Sequence, residues 1–210
     1  MSHFPRIFLE YLRKNMIQYV LLSIILIAGI IVGSFTVNMI SDIQRESILS
    51  LISGFLANIS NISIDNSSVF YLSLSNNFKT AIALILFGLS VVGLPFILVL
   101  IFFRGFVLGF TVGFLIEQLG PKGIVLSALS ILPQNIIILP CILSIGVTSL
   151  TFAAAVIKNK IKNHHEVYSQ MVVGYLLLNL FFSFLLIISG LIEGYISPVF
   201  IKFYSKHLNF

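Results

Sequence analysis

The sequence predicts an all-α fold: a polytopic helical membrane protein of about five transmembrane helices with an interrupted central region. Three observations carry this. Between Gly123 and Ile157 there is no Asp, Glu, Lys or Arg, and only a bilayer core, which rejects charge and makes every backbone N–H and C=O bond internally, makes such a stretch sensible. Hydrophobic residues are 58% of the 210 and charged residues 9%, with mean hydropathy +1.09, too few charges to cover a soluble domain. The uncharged run is also too long for one span, about 52 Å as a helix against about 30 Å of hydrocarbon. It holds Pro133, Gln134, Asn135 and Pro140 in its middle.

The elements follow in order. In residues 1–15, Phe4, Ile7, Phe8, Tyr11 and Leu12 recur at helical spacing opposite Arg6, Glu10, Arg13 and Lys14. This suits either a cytoplasmic interfacial helix or an ordinary basic flank. Residues 16–38 form the first span; Met16 to Ser41 is uncharged and longer than the apolar stretch of a signal peptide. In 39–78, an apolar stripe from Ile40 to Leu56 predicts an amphipathic helix over 41–57, and the Asn- and Ser-rich 58–77 reads as a loop. The Asn-x-Ser triplets at Asn58, Asn61 and Asn66 are expected by chance there.

The second span is 79–103, kinked at Pro95 and ended by Arg104. Gly105, Gly109 and Gly113 then mark one helical face where a second backbone can approach, from within the bundle or from another subunit. The segment 105–120 is a short third span or a re-entrant helix. After the Gly120–Gly123 turn, the fourth span lies within 123–157, broken by proline, with 123–132 as a lead-in. A basic loop, 158–168, precedes the fifth span, 169–192, and a tail, 193–210. Basic residues flanking the first and last spans place the N-terminus in the cytoplasm and the C-terminus outside it.

Polar groups at membrane depth are costly and invite a functional reading. The candidates are Arg104, Glu117, Gln134, Asn135, Asn179 and Glu193. Each has a structural alternative. The amides of Gln134 and Asn135 can bond carbonyls freed by Pro133, Asn179 can join helices, and the charged residues can snorkel from span ends. No catalytic carboxylate pair, metal-binding His-Glu-x-x-His spacing or phosphate-binding loop occurs, and Cys141 is the one cysteine. The charge of +5 sits in short clusters beside apolar runs, an orientation signal rather than a nucleic-acid surface. No enzyme activity, cofactor, metal or nucleic acid is therefore expected.

Four strings in series carry a resemblance. They are Leu89-Ser90-Val91-Val92-Gly93-Leu94-Pro95, the glycine strip Gly105 to Gly113 continuing to Phe114, Leu132-Pro133-Gln134-Asn135, and Glu193-Gly194-Tyr195-Ile196-Ser197-Pro198. In this order they resemble the stage II sporulation protein M family of endospore-forming Firmicutes, over essentially the whole chain. The resemblance implies a five-span protein of the mother-cell septal membrane, required for engulfment. It implies a scaffold that recruits the cell-wall hydrolase stage II sporulation protein P, and with it protein D. Where the wider superfamily has a Pro-His-Gly-x-x-Glu-like pattern, this chain has Pro133-Gln134-Asn135 and Ile138, which suits a scaffold better than a proton- or metal-dependent transporter. Glu193, Tyr195, Pro198, Arg104, Glu117 and Asn179 are the candidate interface residues, with lipid, the two hydrolases and a second copy of the chain as candidate partners. The rival reading is a permease or lipid-handling protein using the helix break at Pro133–Pro140.

Overall fold

The computed structural model describes residues 10–58, 65–90, 92–162 and 167–200. Helix α1 is Met16–Thr36, prolonged by a 3-10 turn, Val37–Met39. Then follow α2 (Asp42–Asn58), α3 (Asn66–Leu89), α4 (Gly93–Leu119), α5 (Pro121–Ser130), α6 (Leu132–Lys162) and α7 (Val167–Leu191). A π-helical turn, Ile192–Ile196, carries α7 on to Phe200. Among the described residues, five helices are long and apolar enough to cross a membrane: Met16–Met39, Asn66–Leu89, Gly93–Leu119, Leu132–Lys158 and Gln170–Phe200.

Local chemistry sets the helix ends. Asp65 caps α3, accepting from the Ser67 N–H at 3.1 Å and the Ser68 hydroxyl at 2.5 Å. The Ser68 bond holds the Asp65 carboxyl below the ordinary carboxylate range. Gly120, at φ 57°, ends α4 in a conformation that side chains avoid, and Pro121 opens α5 where its missing N–H costs nothing.

α6 is the most enclosed of the five spans. Its Ile138, Ile142 and Ile145 meet Leu22 and Leu26 of α1, Leu84 of α3, Ile97 and Ile101 of α4 and Leu186 of α7 in one core. Along α6 a polar string closes against its neighbours. Tyr19 donates to Ser144 at 3.0 Å, Tyr11 bonds Thr148 at 3.2 Å, and Thr151 donates to Asn15 at 3.1 Å. Residues 10–14 are helical and Asn15 turns them into α1, with Tyr11 and Asn15 bonded to α6; residues 1–9 lie outside the described residues.

α1 and α4 run parallel through a glycine seam. A Cβ at Gly105 would stand 2.2 Å from the Leu26 carbonyl oxygen, one at Gly109 2.0 Å from that of Ile30, and one at Gly113 3.0 Å from the Ser34 side chain. From the other side, a Cβ at Gly29 would stand 2.2 Å from the Phe102 carbonyl oxygen and one at Gly33 2.1 Å from that of Phe106. The strip therefore packs within the chain. Gly29 and Gly33, spaced by four, are the complementary half that the sequence reading passed over.

The span boundaries differ from expectation. The expected 79–103 and 105–120 spans are replaced by α3 and α4, which end and begin inside the Leu89–Pro95 string. Arg104 lies within α4 and ends nothing, because Asn77 of α3 bonds its guanidinium and removes the reason to stop the helix there. Residues 66–77, expected as loop, form the first half of α3; 59–64 lie outside the described residues. Pro95 sits in the first turn of α4, where a proline leaves no hydrogen bond unmade and needs no kink. The central interruption falls at Ile131, between α5 and α6, so the lead-in 123–132 is largely the helix α5. Pro133 is the second residue of α6, and Pro140 is accommodated within that continuous helix. The tail remains helical from 193 to 200; its remainder, 201–210, lies outside the described residues.

Candidate functional site

Register against α1 fixes the depth of Arg104. It sits between Phe102 and Phe106, whose carbonyls face Gly29 and Gly33, and its neighbour Gly105 faces Leu26. Leu26 to Gly29 are the middle of the Met16–Met39 span, about 18 Å from its end. A guanidinium there is within the hydrocarbon core, and a charge at that depth costs about 2.5–3.5 kcal/mol even on insertion scales.

A relay offsets that cost. Arg104 Nη2 donates to Asn77 Oδ1. Asn77 Nδ2 donates to Ser73 Oγ at 3.3 Å, and Ser73 Oγ donates to Glu193 Oε2 at 2.5 Å. Ser73 and Asn77 lie one turn apart on the buried face of α3. Glu193 is delivered by the π-helical turn, and Gly194 lets that turn approach α3, since a Cβ there would stand 2.8 Å from the Phe70 Cβ.

The Pro133-Gln134-Asn135 string closes the other side. Gln134 Nε2 donates to the Ser130 carbonyl at 2.6 Å and Asn135 Nδ2 to that of Ile131 at 2.7 Å. The two amides thus cap carbonyls at the end of α5. Gln134 Oε1 also accepts from Ser197 at 3.0 Å, tying α6 to the end of the fifth span. A cavity of about 230 Å³ remains, lined by Arg104, Thr111, Gln134, Asn135 and Glu193 and by apolar Val107, Leu108, Ile131 and Ile138.

Four sequence candidates, Arg104, Gln134, Asn135 and Glu193, therefore converge, although Glu193 lies 89 positions from Arg104. The other candidates do not join them. Glu117 pairs with Arg45 of α2 at 2.7 Å. Asn179 donates to the Tyr175 carbonyl of its own helix at 2.8 Å, and its buried Oδ1 meets no acceptor-seeking partner. Tyr195 is half exposed beside Phe70, with ring centroids 6.4 Å apart, and Pro198 is buried. Pro140 lies two residues beyond the cavity wall at Ile138. Ser73 and Asn77 were missed because 58–77 reads as loop; their four-residue spacing was the available signal.

Five helices apolar and long enough to cross a membrane, packed around a polar, charge-bearing interior, define a multi-pass membrane protein. The family model described as stage II sporulation protein M matches residues 22–198, and the chain belongs to that family. It is a sporulation-related membrane protein. No curated protein and no solved structure matches the chain.

Proposed function

We propose that the protein is a non-enzymatic membrane scaffold for engulfment, which holds stage II sporulation proteins P and D at the septal membrane with its N-terminus cytoplasmic. The observation that carries this is the outer face of α3. Ser68, Leu72, Ser75, Asn76 and Lys79 recur at three- and four-residue spacing and are all exposed. Lys79 stands two residues past Asn77, the partner of mid-depth Arg104. Half of the hydrocarbon core, about 15 Å, exceeds the reach of its four-carbon stem. A lone chain would leave the polar members of this face, Ser75, Asn76 and Lys79, facing lipid. A partner's membrane segment bearing a carboxylate or amides would cover it. Helix α2, held to α4 through Arg45 and Glu117, offers a second contact outside the membrane, with Ile43 and Leu51 exposed.

The test is photo-crosslinking from Asn76 in sporulating cells. Adducts with protein P are expected, and Lys79→Leu should lower its co-purification several-fold while the protein still inserts. Unchanged co-purification, with no adduct from Asn76 or from α2, would refute the scaffold assignment.

The cavity favours a second reading, a lipid-handling or permease activity, because a charged chamber inside the hydrocarbon exceeds what a purely structural bundle requires. Movement of labelled lipid or solute in liposomes containing this protein alone tests it.

A further inference from the structure

The geometry points to the Arg104–Glu193 cavity as a site for the headgroup of a zwitterionic, ethanolamine-type phospholipid, with its phosphate on Arg104 and its ammonium on Glu193. This rests on the lipid-handling reading and names its ligand.

Charge inventory selects the ligand. One cationic and one anionic side chain line the cavity. They are joined through the neutral groups of Asn77 and Ser73, and the ion pair formed among the described residues is Arg45–Glu117, on α2 and α4. A guanidinium has five donors, and Asn77 takes one. Its planar fork matches two phosphate oxygens. Glu193 uses Oε2 toward Ser73, leaving Oε1 to accept from an ammonium. A bare anion would meet the Glu193 carboxylate and a bare cation the guanidinium, each at low dielectric. A headgroup carrying both charges satisfies both walls at once.

The walls select the source. Val107, Leu108, Ile131 and Ile138 complete the lining, and Val107 is 47% exposed on the surface of the bundle. The mouth therefore faces acyl chains, which a lipid can leave behind in the bilayer while its headgroup enters.

The experiment uses the full-length protein in detergent with native mass spectrometry, titrating phosphatidylethanolamine, phosphatidylglycerol and inorganic phosphate. Saturable binding of phosphatidylethanolamine is expected, at least tenfold tighter than phosphatidylglycerol and not displaced by millimolar inorganic phosphate. Arg104→Gln should weaken it tenfold or more, and Glu193→Gln should erase the preference between the two lipids. Leu108→Trp fills the cavity while leaving both charged residues in the sequence and should also abolish binding, whereas Arg45→Gln should bind as the unaltered protein does. Equal binding of the two lipids, displacement by inorganic phosphate, or full binding by folded Leu108→Trp would overturn the proposal. Lipid binding without movement in liposomes leaves the site intact and refutes only the lipid-handling activity; movement without such binding refutes the site.

Discussion

Gly109→Ala tests the α1–α4 seam. The new methyl would lie 2.0 Å from the Ile30 carbonyl oxygen and 2.7 Å from its Cα, both backbone atoms that cannot rotate away. Ordinary contact begins at 3.4 Å, so α1 must retreat by about 1.4 Å, and a gap of that size forfeits at least half of each dispersion contact beside it. Overpacking typically costs about 1–3 kcal/mol, and rigid backbone on both sides puts this site near about 3 kcal/mol. The gain in helix propensity returns only about 1 kcal/mol. Thermal or steric-trap unfolding of the purified protein in micelles measures the difference, with Gly174→Ala as control, because nothing lies within 4 Å of a Cβ there. The control should be neutral or slightly stabilising. Gly33→Ala should behave like Gly109→Ala, and the pair should cost less than the sum, since either one already opens the seam. If Gly109→Ala matched the unaltered protein in stability but lost an oligomer, the strip would be an intermolecular surface and the packing argument would fail.

Three further outcomes follow from individual contacts. Asn77→Leu removes the acceptor of Arg104 and should cost about 1.5–3 kcal/mol, the range for hydrogen bonds to charged groups, whereas Asn76→Leu, exposed one position away, should leave stability within about 0.5 kcal/mol; chemical denaturation in mixed micelles separates them. Glu117→Gln breaks the 2.7 Å pair with Arg45 and should cost no more than about 1 kcal/mol, with the loss shrinking as salt rises. A double-mutant cycle reads the coupling. For Asp65, the folded carboxyl titrates below its unfolded value, so its contribution is present above the unfolded value and lost as pH falls through the folded one. The stability gap between the unaltered protein and Asp65→Asn should therefore hold from neutral pH to about pH 5 and close below about pH 4.

Much of this fold is legible in one dimension. The uncharged runs set the solvent, and a solvent without hydrogen-bonding partners leaves helices as the way to cross it. Glycines four apart at 105, 109 and 113 announced a close helix contact, which is there. The boundaries were less legible for one recurring reason. A charge in an apolar run reads as the end of that run, because only an unpaired charge can be priced from sequence. Arg104 reads as a span end for this reason, and the Asn- and Ser-rich start of α3 reads as loop although its Ser73 and Asn77 are buried.

The sequence alone settled lipid as the medium, helix as the only regular structure, five crossings as their number, and the family, since each depends on composition and order along the chain. Tertiary contact settled where the crossings start, that the glycine strip meets α1, and that Arg104, Gln134 and Glu193 line one chamber, with Asn77 and Ser73 linking Arg104 to Glu193. Ser73 and Glu193 are separated by 120 positions. Neutralisation across such a separation changes which helix a charge can occupy, and that energy exists only once the helices are packed.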